Sequence, residues 1–361
     1  MRLAFIGSSL VSSYWNGAAT YYRGLLAALA RRGHEITFFE PDAFERQRHR
    51  DIQDPDWARL VVWPATPEGV MATLDRARNA DVIVKASGVG VLDDLLEAGV
   101  LATRRPESLV LFWDVDAPAT LDRLAGDPAD PFRALVPDYD LILTYGGGAR
   151  VVEGYRALGA RACVPVYNAL DPRTHFPVPP EARFAGGLGF LGNRLPDREA
   201  RVEAFFLDAA RRMPEMPFLL GGAGWEGREV PANVRRLGHV GTAEHNAFNC
   251  SVRAVLNVTR DSMARYGFSP PTRLFEAAGA AACLITDAWE GIEAFLEPGR
   301  EVLVARDGAE VAAHLAALDA GRARAIGAAA LRRVLARHTY DQRALLVERL
   351  LDGRTATGVA A

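Results

Sequence analysis

Short apolar runs recur along the chain, separated by stretches in which apolar residues fall three and four positions apart. LAFIG at 3–7 reads as a buried strand, TYYRGLLAALAR at 20–31 as an amphipathic helix stopping at Gly33, and EITFFEP as the next strand. DVIVKAS (81–87), SLVLFWD (108–114), DLILTYG (140–146) and ACVPVY (162–167) continue the alternation. Uninterrupted apolar strands with helices between them predict a parallel sheet covered on both faces, so the expected fold class is α/β.

The pattern lapses at NALDPRTHFPVPPEARFAG (168–186), a proline-rich stretch without periodicity that reads as a linker. A second series follows: LGFLGN (188–193), a helix over 198–212, PFLLGG (217–222), NVRRLGHV (233–240), AVLNVT (254–259), CLITD (283–287) and EVLVAR (301–306). From 309 to 351 the chain reads as mostly helical. The expected organisation is a Rossmann-like domain over 1–170, another over 171–338, a helix over 339–352 and a disordered tail over 353–361. In such tandem folds the ligand is expected in a cleft at the carboxyl ends of the strands, among the loops that follow them.

A length of 361 residues suits two domains, and a net charge of −3 gives no global reason to expect nucleic acid or an anionic membrane as partner. Any bound anion is then held locally. Cys163, Cys250 and Cys283 are widely spaced in apolar surroundings, which suggests neither a disulfide framework nor a metal cluster. With no signal-peptide pattern at the N-terminus and no apolar run of transmembrane length, the expected location is cytoplasmic.

The candidate chemistry lies in loops. GSSLVSSYWNG follows the first strand, and Asn16 and Gly17 would bring a hydroxyl-rich or anionic ligand to a helix N-terminus. Gly222, Gly224 and Gly227 form a literal G-x-G-x-x-G after a strand. No helical periodicity follows them, so the stretch reads as a decoy for dinucleotide binding, with Trp225 set against a ligand or the wall. Gly192, Asn193, Arg194 and Arg198 join a strand to a helix and suit a diphosphate. His239 and Val240 would line a flat pocket for a base, and the spacing from His239 to His245 is a weak metal signal, so no metal is expected. Asp114 and Asp116 end a strand, where Asp116 is the better candidate for a general base, and Tyr145 follows the next strand.

SPPTRLFEAAGAAACLITD (269–287) carries the sharpest feature. Pro270 and Pro271 suit a first helical turn, and Leu274, Ala277, Ala278 and Ala281 form the packed stripe. Glu276 falls off that stripe and lies four residues after Thr272, one too many for a capping box. An ionised carboxylate there matches a sugar diol, while Arg273 and the amides of the helix start face anionic oxygens. The competing account is a surface Arg273–Glu276 pair worth only ~0.2–0.5 kcal/mol.

The stretch NVTRDSMARYGFSPPTRLFEAAGAAACLITDAWEGIEAFLEPGREVLVARD, with WDVDAPATL, YDLILTYGGG and LGHVGTAEHNAFN, resembles GT-B glycosyltransferases of the CgeB-like (spore-maturation-protein-like) group. The resemblance implies two Rossmann-like domains facing across a cleft, a nucleotide-sugar donor on the C-terminal domain, and a final helix, TYDQRALLVERLL, crossing back to the N-terminal domain. It further implies that Glu276 binds the nucleotide ribose, that Ser269, Thr272 and Arg273 approach the diphosphate, and that Arg194 and Arg198 match basic residues of a phosphate loop. His239 and Val240 would be the base pocket. Eight residues before Glu276, where retaining members of related families carry a second glutamate, stands Phe268. The resemblance therefore fixes neither the stereochemical outcome nor the base.

The function expected is metal-independent transfer of a sugar from a nucleotide-diphosphate sugar, UDP before dTDP or GDP, to an acceptor hydroxyl on a glycan, lipid, protein or small metabolite. No cofactor is expected. Asp116 and Arg194 are the candidate catalytic residues, with Asn16, Gly17 and Tyr145 on the acceptor side. The alternatives are a sugar-nucleotide epimerase of the same fold and a nucleotide-sugar-binding protein without turnover. A phosphorylase needs a pyridoxal-phosphate lysine, and the single lysine, Lys85, lies early in the N-terminal half.

Overall fold

The computed structural model describes residues 1–356. They form two compact units, one of Met1–Asn168 with the last helix from Tyr340, the other of Ala169–Thr339. The first contains β1 (Arg2–Ile6), α1 (Ala19–Arg31), β2 (Glu35–Asp42), β3 (Ala58–Pro64), α2 (Pro67–Ala77), β4 (Val82–Ala86), α3 (Asp93–Ala102) and β5 (Leu109–Asp114). It continues through α4 (Ala117–Gly126), α5 (Phe132–Leu135), β6 (Leu141–Thr144), α6 (Gly148–Ala157) and β7 (Cys163–Pro165). Among the described residues its strands pair in parallel in the order β3-β2-β1-β4-β5-β6-β7.

β1, β4 and β6 are almost wholly buried, as strands covered on both faces must be. The periodicity reading omits β3: its pattern, ARLVVWP, is largely exposed because the strand lies at the sheet edge.

The second unit contains β8 (Gly186–Leu191), α7 (Pro196–Val202), α8 (Asp208–Arg212), β9 (Phe218–Gly221), β10 (Val234–Gly238), α9 (His245–Ser251) and β11 (Val252–Asn257). Then come α10 (Asp261–Tyr266), α11 (Thr272–Gly279), β12 (Leu284–Asp287), β13 (Leu303–Ala305), α12 (Gly308–Ala316) and α13 (Ala320–Arg337). A π-helical turn, Glu203–Leu207, joins α7 to α8 into one helical run over 196–212. The sheet is again parallel, in the order β10-β9-β8-β11-β12-β13. Phe190, Phe206, Phe218, Leu256 and Ile285 belong to its core.

The glycine-rich stretch after β9 serves packing. Gly222, at φ 123°, sits so close to Gly192 that a Cβ would lie 2.2 Å from the Gly192 carbonyl oxygen. Turns rather than a helix connect it to β10, which leaves no helix N-terminus for a pyrophosphate.

The last helix, α14 (Tyr340–Ala356), belongs to the first unit. Gly24 of α1 admits the Tyr340 ring, where a Cβ would stand 2.2 Å from it. Arg31 pairs with Asp341 at 2.7 Å, and Arg32 with Glu348 at 2.6 Å. The helix runs through 353–356, so the tail expected over 353–361 begins later at least; 357–361 lie outside the described residues. No helix among the described residues is long and apolar enough to cross a membrane.

Candidate functional site

The carboxyl end of the second sheet leads into α11. Pro271 stands at the N-cap in extended geometry, φ −70° and ψ 157°, so the prolines precede the helix instead of forming its first turn. They hold the chain extended and force a clean start at Thr272, whose free amides carry the positive end of the helix dipole. Ser269 is buried, its hydroxyl donating to the Gly267 carbonyl at 2.9 Å. Phe268 is held at φ 43°, against Gly291.

Glu276 is 4% exposed, in a helix buried from Leu274 to Gly279. Arg273, itself 17% exposed, reaches its Oε2 at 3.1 Å, so the pair has one buried partner and one partly buried partner, which corrects the surface-pair account. Two imidazoles flank the same carboxylate. His175 Nε2 lies 4.0 Å from Oε1, and His245 Nδ1 lies 3.8 Å from Oε2. Neither nitrogen has a hydrogen-bond partner among the described residues. Burial, reinforced by the positive charge of Arg273, pushes His245 down to about 3, and burial likewise lowers His175, so both rings are neutral at pH 7.

Arg198 on α7 carries the same signature in a cation. Burial first and Arg273 second push its guanidinium down to about 10, which places two arginines within electrostatic reach of one another. Its NH2 group donates to the Asn193 carbonyl at 2.5 Å, and Nε has no hydrogen-bond partner among the described residues.

Several expected donor-site residues do other work. Arg194 forms an ion pair with Glu199 at 2.8 Å and is more than a third exposed. The Asn193 side chain accepts from the Ala223 amide, tying the loops after β8 and β9 together. Trp225 is a core residue, 2% exposed, its indole donating to the Gly192 carbonyl at 2.8 Å, so it offers no ring face to a ligand. His239 is exposed, while Val240 is buried and its backbone hydrogen-bonds His245.

Sequence reasoning missed His175, which lies in the stretch read as linker. It missed Asn249 too, fully buried with neither amide atom hydrogen-bonded among the described residues. The signal for Asn249 was available: it follows His245 by four residues and shares its helical face. Buried polar atoms left unpaired in the protein mark sites that await something else.

In the first unit Asp114 is a structural hub. It is fully buried and accepts from Ser87 Oγ at 2.7 Å, from the Asp116 amide at 2.9 Å and from the Tyr155 hydroxyl. Asp116 occupies the N-cap of α4, half-buried, without a side-chain cap bond. Asn16 is largely spent internally: its amide donates to the Ser9 and Ser12 carbonyls, and its oxygen accepts from Ser8. Both N–H donors are therefore spent within the loop, and one lone pair of its oxygen is left to face a ligand. Gly17 borders open space and Tyr145 is half-buried against Tyr21. Lys85 is fully buried in ion pairs with Asp93 and Glu97.

Residues 198–351 match a family model described as glycosyl transferase-like. No curated protein matches the chain by sequence. Sucrose-phosphate synthase from Thermosynechococcus elongatus has 16% identity over 99% of each chain and a TM-score of 0.69. HepE of Anabaena, solved with UDP and glucose, has 13% identity over 98% of this chain and 100% of its own, with a TM-score of 0.69. AviGT4, a glycosyltransferase involved in avilamycin A biosynthesis, has 16% identity over 99% and 98%, with a TM-score of 0.63. At these identities the likeness establishes the fold: two parallel-sheet α/β domains, with GT-B glycosyltransferases as structural neighbours.

Proposed function

We propose that the chain is a GT-B glycosyltransferase of the CgeB-like kind, taking its sugar from a nucleotide diphosphate, UDP before dTDP or GDP, and passing it to an acceptor hydroxyl. The observation that carries this reading is the buried carboxylate of Glu276 with Arg273 at 3.1 Å on the first turn of α11, beside which the desolvated Arg198 guanidinium feels the charge of Arg273. Neighbouring guanidiniums repel each other, and a diphosphate that accepts from both, and from the free amides of the helix start, relieves that repulsion. Glu276 then holds the ribose hydroxyls, Ser269 and Thr272 line the approach, and the backbone at His239 and Val240 borders the base.

Departure of the nucleoside diphosphate builds negative charge on its terminal phosphate, where the arginines and the helix dipole are already aimed. This accounts for leaving-group stabilisation without a metal. Asp116 is the proposed general base: unlike Asp114, it lies in the loop beyond the strand and is not enclosed by the Ser87 and Tyr155 hydroxyls. Gly17 and Tyr145 are proposed for the acceptor side. The acceptor is a glycan, lipid, protein or small metabolite.

Calorimetric titration with UDP in the presence of a chelator tests the donor half. Arg273→Ala and Glu276→Gln should each weaken UDP binding at least ~10-fold, the loss expected for a charge-assisted hydrogen bond. Unchanged affinity in both variants would sink the donor reading. Asp116→Asn should abolish transfer from a UDP-sugar while leaving UDP affinity intact, an outcome that a binding protein without turnover cannot produce.

A further inference from the structure

We propose that His175, His245 and Glu276 form a transition-metal site on the second unit, built from two imidazole nitrogens and one carboxylate. Their candidate ligand atoms all lie within 4.8 Å of one another, His175 Nε2 at 4.0 Å and His245 Nδ1 at 3.8 Å from the carboxylate oxygens. Tetrahedral ligands at the usual zinc distances of ~2.0–2.1 Å stand roughly 3.3–3.4 Å apart, so an ion needs the three groups to close by about half an ångström at the nearest pairs and up to about 1.4 Å at the widest.

Hydrogen-bond chemistry favours a cation over a hydroxyl in the gap. The Thr174 hydroxyl donates to the Asp171 carbonyl at 3.2 Å, so at 2.9 Å it accepts from the Nδ1–H of His175. This tautomer turns a lone pair of His175 Nε2 toward Glu276. His245 hydrogen-bonds the Val240 backbone, and its Nδ1, which lacks a hydrogen bond among the described residues, likewise faces the carboxylate. The side chain of His175 is 7% exposed, so bulk water does not serve its nitrogen. Three acceptors thus converge, and a sugar hydroxyl has only one proton to give them. A divalent ion satisfies all three at once.

The outer partners are those of a ligating set: a hydroxyl behind one imidazole, a backbone group behind the other, and Arg273 on the carboxylate. Arg273 also sets a limit, since its charge 3.1 Å from Glu276 opposes a second cation. The affinity should therefore be micromolar, not that of a structural zinc site. Imidazole with carboxylate selects zinc, cobalt or nickel over magnesium or calcium.

On the donor reading above, the ion and a ribose compete for Glu276, so zinc inhibits. The site itself does not rest on that reading, because its test uses no nucleotide. Cobalt titrated into the chelator-stripped chain should give one equivalent of visible absorption from a low-coordinate complex with nitrogen ligands, displaced by zinc and unaffected by magnesium. His175→Ala and His245→Ala should each abolish the band, and His314→Ala should keep it. A wild-type chain with no cobalt band, or a band surviving in both ligand variants, overturns the site; the wild-type measurement stands even if a variant folds poorly. UDP affinity should fall at least tenfold under saturating zinc. Unchanged UDP affinity with zinc bound overturns the ribose role of Glu276 and not the ion site, whereas failure of UDP to bind the metal-free chain overturns the donor reading alone.

Discussion

Asp114 and Glu276 are both buried carboxylates, one at the end of β5 and one on α11, and their neighbours approach them in opposite ways. Hydroxyl and amide donors reach Asp114 at hydrogen-bond distance from Ser87, Asp116 and Tyr155. Around Glu276 the imidazoles stop at 3.8 and 4.0 Å, beyond hydrogen-bond distance, and Arg273 lies at 3.1 Å. The first arrangement is closed and holds β4, β5 and α6 in register. The second contains histidine nitrogens that gain nothing from the fold itself. Burial alone therefore does not tell scaffold from site; the count of satisfied neighbours does.

The largest effect that can break this contrast is at Asp114. Asp114→Ala strands the Ser87 and Tyr155 hydroxyls and the Asp116 amide in a buried position, which should cost about 3 kcal/mol. Urea unfolding of the purified chain measures it, and a loss below about 1 kcal/mol means that Asp114 is not the hub described. A smaller effect sharpens the other side. His245→Gln in the chelated chain removes the bond to the Val240 backbone but none to Glu276, so its stability should fall by only about 1 kcal/mol. A loss matching that of Asp114→Ala would show that His245 is structural.

The sequence made the alternation of strands and helices plain, because fully buried parallel strands read as continuous apolar runs. β3 escaped although it carries the apolar run LVVW; at the sheet edge only Trp63 of that strand is buried. Glu276 was legible because its spacing from Thr272 breaks a local rule. Trp225 misled outright and Asn16 in part, since residue type in a loop suggests a ligand while only coordinates show the indole closing on Gly192 and both amide N–H donors spent on Ser9 and Ser12. His175 was hidden by its setting. It lies among prolines, a hundred residues from Glu276, and only the folding of that segment against Gly279 of α11 brings it near.

The smallest expected effect is that of Arg194→Ala, and it bears on which arginine meets the phosphates. Both Arg194 and Arg198 follow β8, and the chemistry of the side chain does not separate them. Their surroundings do: Arg194 spends its charge on Glu199 at 2.8 Å in a half-exposed pair, while Arg198 is pushed down to about 10 by burial and by Arg273. Exposed pairs contribute only ~0–1 kcal/mol, so Arg194→Ala should change stability by less than that and UDP affinity by less than about threefold. Arg198→Ala should weaken UDP by roughly tenfold or more, because a desolvated guanidinium gains most from an anion. Calorimetry on the two variants side by side decides it. An Arg194 loss equal to or larger than that of Arg198 would mean that the Glu199 pair opens to release Arg194 when the nucleotide arrives, and that the half-exposed arginine is the one the phosphates recruit.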